Sequence, residues 1–122
     1  MKSKTVIGRE GERMAQVFLA RKGYRILDAN WRWHNFELDI VALNEETLVI
    51  VEVKTRSKGY LVNPEGAIDR KKICRLTAAA DSYAQHLEKV YPVRFDIVTI
   101  VTDGKGGVDI EHIEDAYFST VL

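Results

Sequence analysis

The chain is short of cysteine, proline and long apolar runs, and each shortage excludes something. One cysteine, Cys74, in 122 residues leaves no internal disulfide framework and no cysteine-built zinc site. The two prolines do not gather with glycine and serine into a linker. No repeat or low-complexity tract divides the chain, so a single domain over residues 1–122 is expected. No apolar run approaches the roughly 18 residues a membrane span needs. The first ten residues are polar and charged and lack the apolar heart of a secretory signal. The expected setting is therefore the reducing cytoplasm, with no membrane partner.

An excess of charge of either sign is also missing, for the net charge is zero. The distribution is uneven, however. Residues 1–25 carry seven Lys or Arg against two acids, residues 54–75 carry the same ratio, and the segments 26–53 and 76–122 are each net −5. Two basic stretches brought together would make a polyanion-binding face. From charge alone, a mixed solvated surface is the simpler reading.

What is present reads as alternating helix and strand. Met14, Ala15, Phe18 and Leu19 recur at helical spacing and predict a helix from about Gly8 to Lys22, with Gly23 as its C-terminal cap. Tyr24 to Trp33 reads as a strand made irregular by Asp28 and Asn30. Glu37 to Leu43 and Leu48 to Lys54 read as two strands of a hairpin around Asn44-Glu45-Glu46-Thr47. Thr55 to Gly66 reads as a loop. Ile73, Leu76, Ala80, Tyr83 and Leu87 predict a second helix from about Asp69, its expected cap, to Val90. Val93 to Val101 is β-branched and reads as a buried strand. A glycine-rich turn over 103–107 leads to a short strand, Val108 to Ile113. The order α-β-β-β-α-β-β suggests an α/β fold with a mixed central sheet flanked by helices.

The hairpin carries the chemistry. If its turn is centred between Glu45 and Glu46, Asp39 lies opposite Glu52 and Glu37 opposite Lys54, all on one face, because strand side chains alternate. The other face is then apolar throughout: Leu38, Ile40 and Ala42 against Val53, Val51 and Val49. A one-residue slip would mix the charges with the valines, so burial favours this register. Two carboxylates about 5 Å apart among apolar residues need a proton, a cationic side chain or a metal. Lys54 is one cation, and an all-oxygen site suits Mg²⁺ or Mn²⁺ better than Zn²⁺. A buried Glu37–Lys54 pair beside an acid pair sharing a proton is the bland alternative. The constellation fits phosphodiester hydrolysis. Asp39, Glu52 and the carbonyl of Val53 would hold the metal, while Lys54 would orient the attacking water, stabilise the transition state or act as a base.

These residues resemble a known family. Asp39, then twelve residues, then Glu52-Val53-Lys54 looks like the PD-(D/E)xK signature of restriction-endonuclease-like nucleases. More closely, the chain resembles the YraN-like family within that superfamily. The resemblance rests on Gly8-Arg9-Glu10-Gly11-Glu12, Gly23-Tyr24-Arg25-Ile26-Leu27, Asn30-Trp31-Arg32, Glu37-Leu38-Asp39-Ile40-Val41-Ala42, Val51-Glu52-Val53-Lys54-Thr55-Arg56 and Arg94-Phe95-Asp96-Ile97-Val98. Two positions depart from the pattern: Phe36 stands where the family usually has glycine, and Leu38 replaces the signature proline. The resemblance implies a core of order α-β-β-β-α-β, similar to that of archaeal Holliday-junction resolvases, and a dimer by analogy with them. It also implies that Glu12 joins the metal site. Glu12, Ala15 and Leu19 share a helical stripe, which agrees with that role. Interaction with the helix N-terminus is the alternative.

Arg56, Lys58, Arg70, Lys71 and Arg75 follow the presumed site and are the candidate phosphate contacts. Lys72 belongs to the same basic run and is weighed with them, against a solvated basic helix end. Trp31 and Trp33 share a strand face, where they either stack on bases or pack on the sheet. The three histidines lack ligand spacing, and Cys74 is expected to be a small buried helix residue. Three functions follow. The first is a metal-dependent nuclease acting on DNA, branched or single-stranded. The second is a nucleic-acid-binding protein that does not cut alone. The third is an interaction domain whose charged cluster is structural.

Overall fold

A computed structural model describes residues 4–57 and 70–117, and their side chains from Gly8 onward. Helix α1 (Lys4–Arg21) is followed by strands β1 (Arg25–Trp33), β2 (Phe36–Asn44) and β3 (Thr47–Ser57). Helix α2 (Arg70–Ala84) and strands β4 (Val93–Thr102) and β5 (Val108–Ile113) complete the order. The five strands form one sheet in sequence order. Only β3 and β4 run parallel. That pairing spans the α2 connection, as a parallel pair requires a crossover. The α/β class and the order of elements are those expected from the sequence. Among the described residues, no helix is long and apolar enough to cross a membrane.

Each helix covers one face of the sheet. Ala15 and Leu19 of α1 pack with Tyr24, Ile40, Ala42, Val49, Val51, Val98 and Ile100. Leu76, Ala79, Ala80 and Tyr83 of α2 pack with Leu38, Val41, Leu48, Ile50, Ile97 and Tyr117. β3 supplies both cores alternately, as a strand buried on two sides must.

Local chemistry sets the ends of α1 and of the hairpin. Gly23 has φ 96°, and the bonds Gly23 N–H to Ala20 O and Tyr24 N–H to Leu19 O, both 3.0 Å, close α1 in a Schellman motif with Tyr24 packed on Leu19. α1 begins at Lys4 and not Gly8, because a glycine costs a helix about 1 kcal/mol without stopping it. In the hairpin turn Glu45 takes φ 55°, and the register from Asn44↔Thr47 to Ile40↔Val51 is the one expected, but the ladder stops there and does not include the expected Asp39–Glu52 and Glu37–Lys54 pairs.

Several expectations are corrected. α2 ends at Ala84 and not Val90. His86 and Leu87 bond back to Tyr83 and Ala84, three residues and not four, so the last turn tightens. Leu87 still reaches the core, which is why the apolar period seemed to continue. Cys74 is exposed, because the buried stripe of α2 runs through Leu76, Ala79, Ala80 and Tyr83. β3 continues through Thr55 and Arg56 to Ser57, where a loop was expected. Its ladder with β4 runs unbroken from Leu48 to Ser57. The expected cap Asp69 and the rest of the expected loop lie outside the described residues.

The last correction concerns Leu38. Strict alternation would bury it beside Ile40. Instead Ile40 lies in the α1 core and Leu38 in the α2 core. The adjacent strand changes face at the same place: Ala29 is opposite Ile40, while Trp31 is opposite Leu38 and packs on the α2 side. Between them Asn30 takes φ 54°, a left-handed conformation that asparagine tolerates better than most residues. The paired strands therefore change phase together at Asn30 and Asp39.

Candidate functional site

Asp39 stands at that change of phase. The β2–β3 ladder ends at Ile40↔Val51, and the next available donor, Val53 N–H, donates to Asp39 Oδ2 at 2.9 Å. A side-chain carboxylate thus takes the place of a backbone acceptor at the point where the ladder stops. Glu37, two residues earlier, pairs with Arg32 of β1.

α1 brings Glu12 to the same place. Its close approach depends on Gly11: a Cβ there would collide with Thr55 Oγ1 of β3 and touch Ile100 Cδ1 at 3.6 Å. One oxygen from each of Glu12, Glu37 and Asp39 lies within 4.8 Å of the others. Gly8, Arg9, Glu12, Asn30 and Glu37 line an open cavity of about 480 Å³. Oxygen ligands about 2.0–2.6 Å from one hard cation stand at most about 4–5 Å apart. For Mg²⁺, with bonds of about 2.0–2.1 Å, the limit is about 4.2 Å, so the three carboxylates could close around one such ion with small side-chain adjustment, and the all-oxygen donor set suits Mg²⁺ or Mn²⁺.

Electrostatics points the same way. Burial, with the charges of Glu12, Glu52 and Glu37, pushes the Asp39 carboxyl up to about 6 against the opposing bond from Val53. Burial and the charge of Glu37 also raise Glu12, although its bond with Asn30 and the charge of Arg9 act the other way. For both groups burial is the largest cause, and the neighbouring carboxylates add to it.

Glu52 is in the opposite condition. Burial alone would raise its carboxyl, but hydrogen bonds from Lys72 and Tyr117 and the charges of Lys72 and Lys54 hold it below its ordinary value. Lys54 Nζ lies 3.4 Å from Glu52 Oε1, Lys72 Nζ donates to that same oxygen, and the Tyr117 hydroxyl donates to Oε2 at 2.7 Å. The described ion pair of Lys54 is with Glu52, and that of Glu37 is with Arg32 at 3.5 Å. Asp39 and Glu52 nonetheless border one cavity of about 130 Å³ together with Glu37, Leu38, Lys72 and Leu76.

The structure thus groups Asp39 with Glu12 and Glu37 on the α1 side, and Glu52 with Lys54 and Lys72 on the α2 side, and the two groups meet at the cavity that Glu37, Asp39 and Glu52 border. Three contributors lie outside the metal site expected from the sequence. Glu37 was legible as the first acid of Glu-x-Asp, with the two side chains sharing a strand face. Lys72 lies one helical turn before Leu76, at the head of the buried stripe, and that spacing could have marked it. Tyr117 follows the last strand, where no local pattern ties it to Glu52.

The candidate phosphate contacts lie around this site. Arg56 is half-buried on β3, two residues beyond Lys54, and its Nη1 donates to the Thr55 carbonyl at 3.0 Å. Arg70, Lys71 and Arg75 are exposed on α2. Lys58 lies outside the described residues. Trp31 packs edge-on against Tyr83 at 5.1 Å and, like Trp33, on the α2 core, which makes both packing residues.

A second polar network lies on the α1 side of β4. Asp96, 1% exposed, accepts from Arg94 Nε at 2.8 Å and Nη2 at 2.9 Å, from Asp115 N–H at 3.0 Å, and from His112 Nε2 at 2.7 Å. With Nε2 donating, His112 Nδ1 is free to accept from Lys22 Nζ, 2.7 Å away. Arg94 Nη2 also donates to the Tyr24 hydroxyl at 2.7 Å. This network ties the helix end and the segment after β5 to the sheet.

Comparison with known proteins places the chain in a family. A family profile described as Uncharacterised protein family UPF0102 matches residues 11–100, a span that includes Glu12, Asp39, Glu52 and Lys54. A UPF0102 protein of Parabacteroides distasonis is 50% identical over 113 residues, 93% of either chain. One of Bacteroides thetaiotaomicron is 46% identical over 112 residues, 92% of either chain. One of Phocaeicola vulgatus is 44% identical over 114 residues, 93% of either chain. The chain belongs to the UPF0102 family, the YraN-like group that its motifs resemble.

Proposed function

We propose that this protein is a Mg²⁺- or Mn²⁺-dependent nuclease of the restriction-endonuclease-like class that hydrolyses phosphodiester bonds in DNA. The observation that carries the reading is the convergence of Glu12, Glu37 and Asp39 within 4.8 Å, beside a Glu52–Lys54 pair. Burial and the neighbouring carboxylates raise the pKa of Asp39 and Glu12, and a cation among the three acids would offset that like charge.

Asp39 would hold the ion, with Glu12, Glu37, Glu52 and the Val53 carbonyl as further oxygen donors. When bound, such an ion supplies a water of lowered pKa and offsets charge on the phosphate. The Val53 N–H fixes the Asp39 carboxylate. Glu52 holds the Lys54 ammonium near the site, where it orients the attacking water or stabilises the extra negative charge of the transition state. Arg56 and the exposed Arg70, Lys71 and Arg75, with Lys58, bind the flanking phosphates and set the register of the strand.

The test uses labelled four-way junction, duplex and single-stranded DNA with Mg²⁺ or Mn²⁺. Cleavage is expected from the wild-type protein and not from Asp39→Asn or Lys54→Ala. Binding of all three substrates without cleavage would turn the reading to a nucleic-acid-binding protein that needs a partner. A structural role predicts that Asp39→Asn alters stability but neither DNA affinity nor ion uptake.

A further inference from the structure

Both ammonium groups of the site sit on one carboxylate. Lys54 and Lys72 face Glu52 Oε1, and the Tyr117 hydroxyl occupies Oε2. The described hydrogen bond of Asp39 is with a backbone N–H, and the guanidinium of Arg32 stands 3.5 Å from Glu37. Charge matching alone would spread the cations over the acids. Here two ammonium groups and a hydroxyl engage Glu52, while the described hydrogen bond of Asp39 comes from a backbone N–H. Lys72 and Asp39 meanwhile border the same cavity of about 130 Å³ as Glu52, room for an ion with a few waters.

The three partners of Glu52 differ in freedom. Lys54 is 16% exposed and anchored on a central strand, whereas the Lys72 side chain is 37% exposed. Lys72 lies on the first turn of α2 between Arg70, Lys71 and Arg75, the stretch a polyanion would approach. It can reach outward to a phosphate without moving the backbone.

We infer that Lys72 is a positioning residue that holds Glu52 away from the ion in the free protein and moves to a phosphate when DNA binds. Glu52 is then released to join Asp39. The inference rests on the nuclease reading above. It makes ion binding and DNA binding cooperative, because the same ammonium competes with the ion in one state and neutralises the substrate in the other.

The experiment titrates Mn²⁺ into the DNA-free protein and follows bound ion by electron paramagnetic resonance. Lys72→Met removes the ammonium and keeps the length of the side chain. It should tighten Mn²⁺ binding by about tenfold, the scale of one charge-assisted hydrogen bond. Lys72→Arg should restore the wild-type value. Arg75→Met, which removes a nearby charge that does not touch Glu52, should change it less. Binding of a 20-mer in EDTA should weaken in Lys72→Met, with the salt slope reduced by about one. Equal or weaker Mn²⁺ binding in Lys72→Met overturns the role of Lys72 and leaves the nuclease reading standing. Absence of Mn²⁺ binding in every variant overturns both.

Discussion

Burial governs Asp39 first, and then a hydrogen bond from Val53 and the charges of three neighbouring carboxylates act on it with opposite sign. Its proton is held more tightly in the folded chain than in the unfolded one, because its folded pKa is raised from 3.8 to about 6. Its contribution to the stability of the ion-free protein therefore falls as pH rises from 4 to 7, and levels off above. Asn at this position keeps an oxygen for the Val53 N–H and cannot ionise. Asp39→Asn should thus stabilise the ion-free protein at pH 8 by about 2–3 kcal/mol while removing ion binding. Urea unfolding of both proteins at pH 4 and pH 8 checks this. A mutant less stable than wild type at pH 8 would contradict it. Asp96 has the reverse sign. Burial alone would raise its carboxyl, but His112, Arg94 and the Asp115 N–H more than offset this and lower it. Its contribution is present above the unfolded carboxylate pKa and is lost as pH falls through the depressed folded value. Asp96→Ala strands the Arg94 guanidinium in a partly buried site and should cost about 3–5 kcal/mol in equilibrium unfolding.

At the scale of the element, the two glycines of α1 make a controlled pair. Around Gly8 no atom lies within 4 Å of an added Cβ, whereas at Gly11 the Cβ collides with Thr55 Oγ1. Gly8→Ala should gain about 1 kcal/mol, the ordinary helix-propensity difference. Gly11→Ala should lose about 1–2 kcal/mol, because the overpacking cost exceeds the propensity gain. Thermal unfolding of the two variants measures the contrast. Gly11→Ala should also weaken Mn²⁺ binding, since α1 must back away from β3 and carry Glu12 with it. The strands show the same dependence of a site on local backbone. The joint change of phase at Asn30 and Asp39 frees the Asp39 carboxylate to meet α1 while Glu52 remains on the α2 side.

For the whole molecule, the site is assembled by elements distant in sequence: α1 gives Glu12, β2 gives Glu37 and Asp39, β3 gives Glu52 and Lys54, α2 gives Lys72. An ion bound there couples the two layers that cover the sheet. Saturating Mn²⁺ at 100 times its dissociation constant should stabilise the fold by about 2.7 kcal/mol by mass action. This appears as a rise in Tm in wild type and none in Asp39→Asn. An equal rise in both would show that the ion binds elsewhere.

Much of this was present in the order of residues. Period-two and helical spacing define five strands and two helices, because burial on a sheet or a helix stripe leaves a local signature. The hairpin register follows from the four residues of its turn and the apolar pairs behind it. What the chain could not display locally is where alternation fails. Leu38 obeys the pattern of Ile40 and Ala42 in sequence but packs on the other side, because Asn30 on the neighbouring strand turns left-handed and Asp39 replaces a ladder bond. The grouping of acids was decided in the same way. Glu37 meets Glu12 and Asp39, while Lys72 and Tyr117 claim Glu52, through contacts between segments far apart along the chain. Sequence alone determined which groups are available and the elements that carry them. Tertiary packing decided which carboxylates face one another and which are neutralised, because charge and burial act through space and not along the backbone.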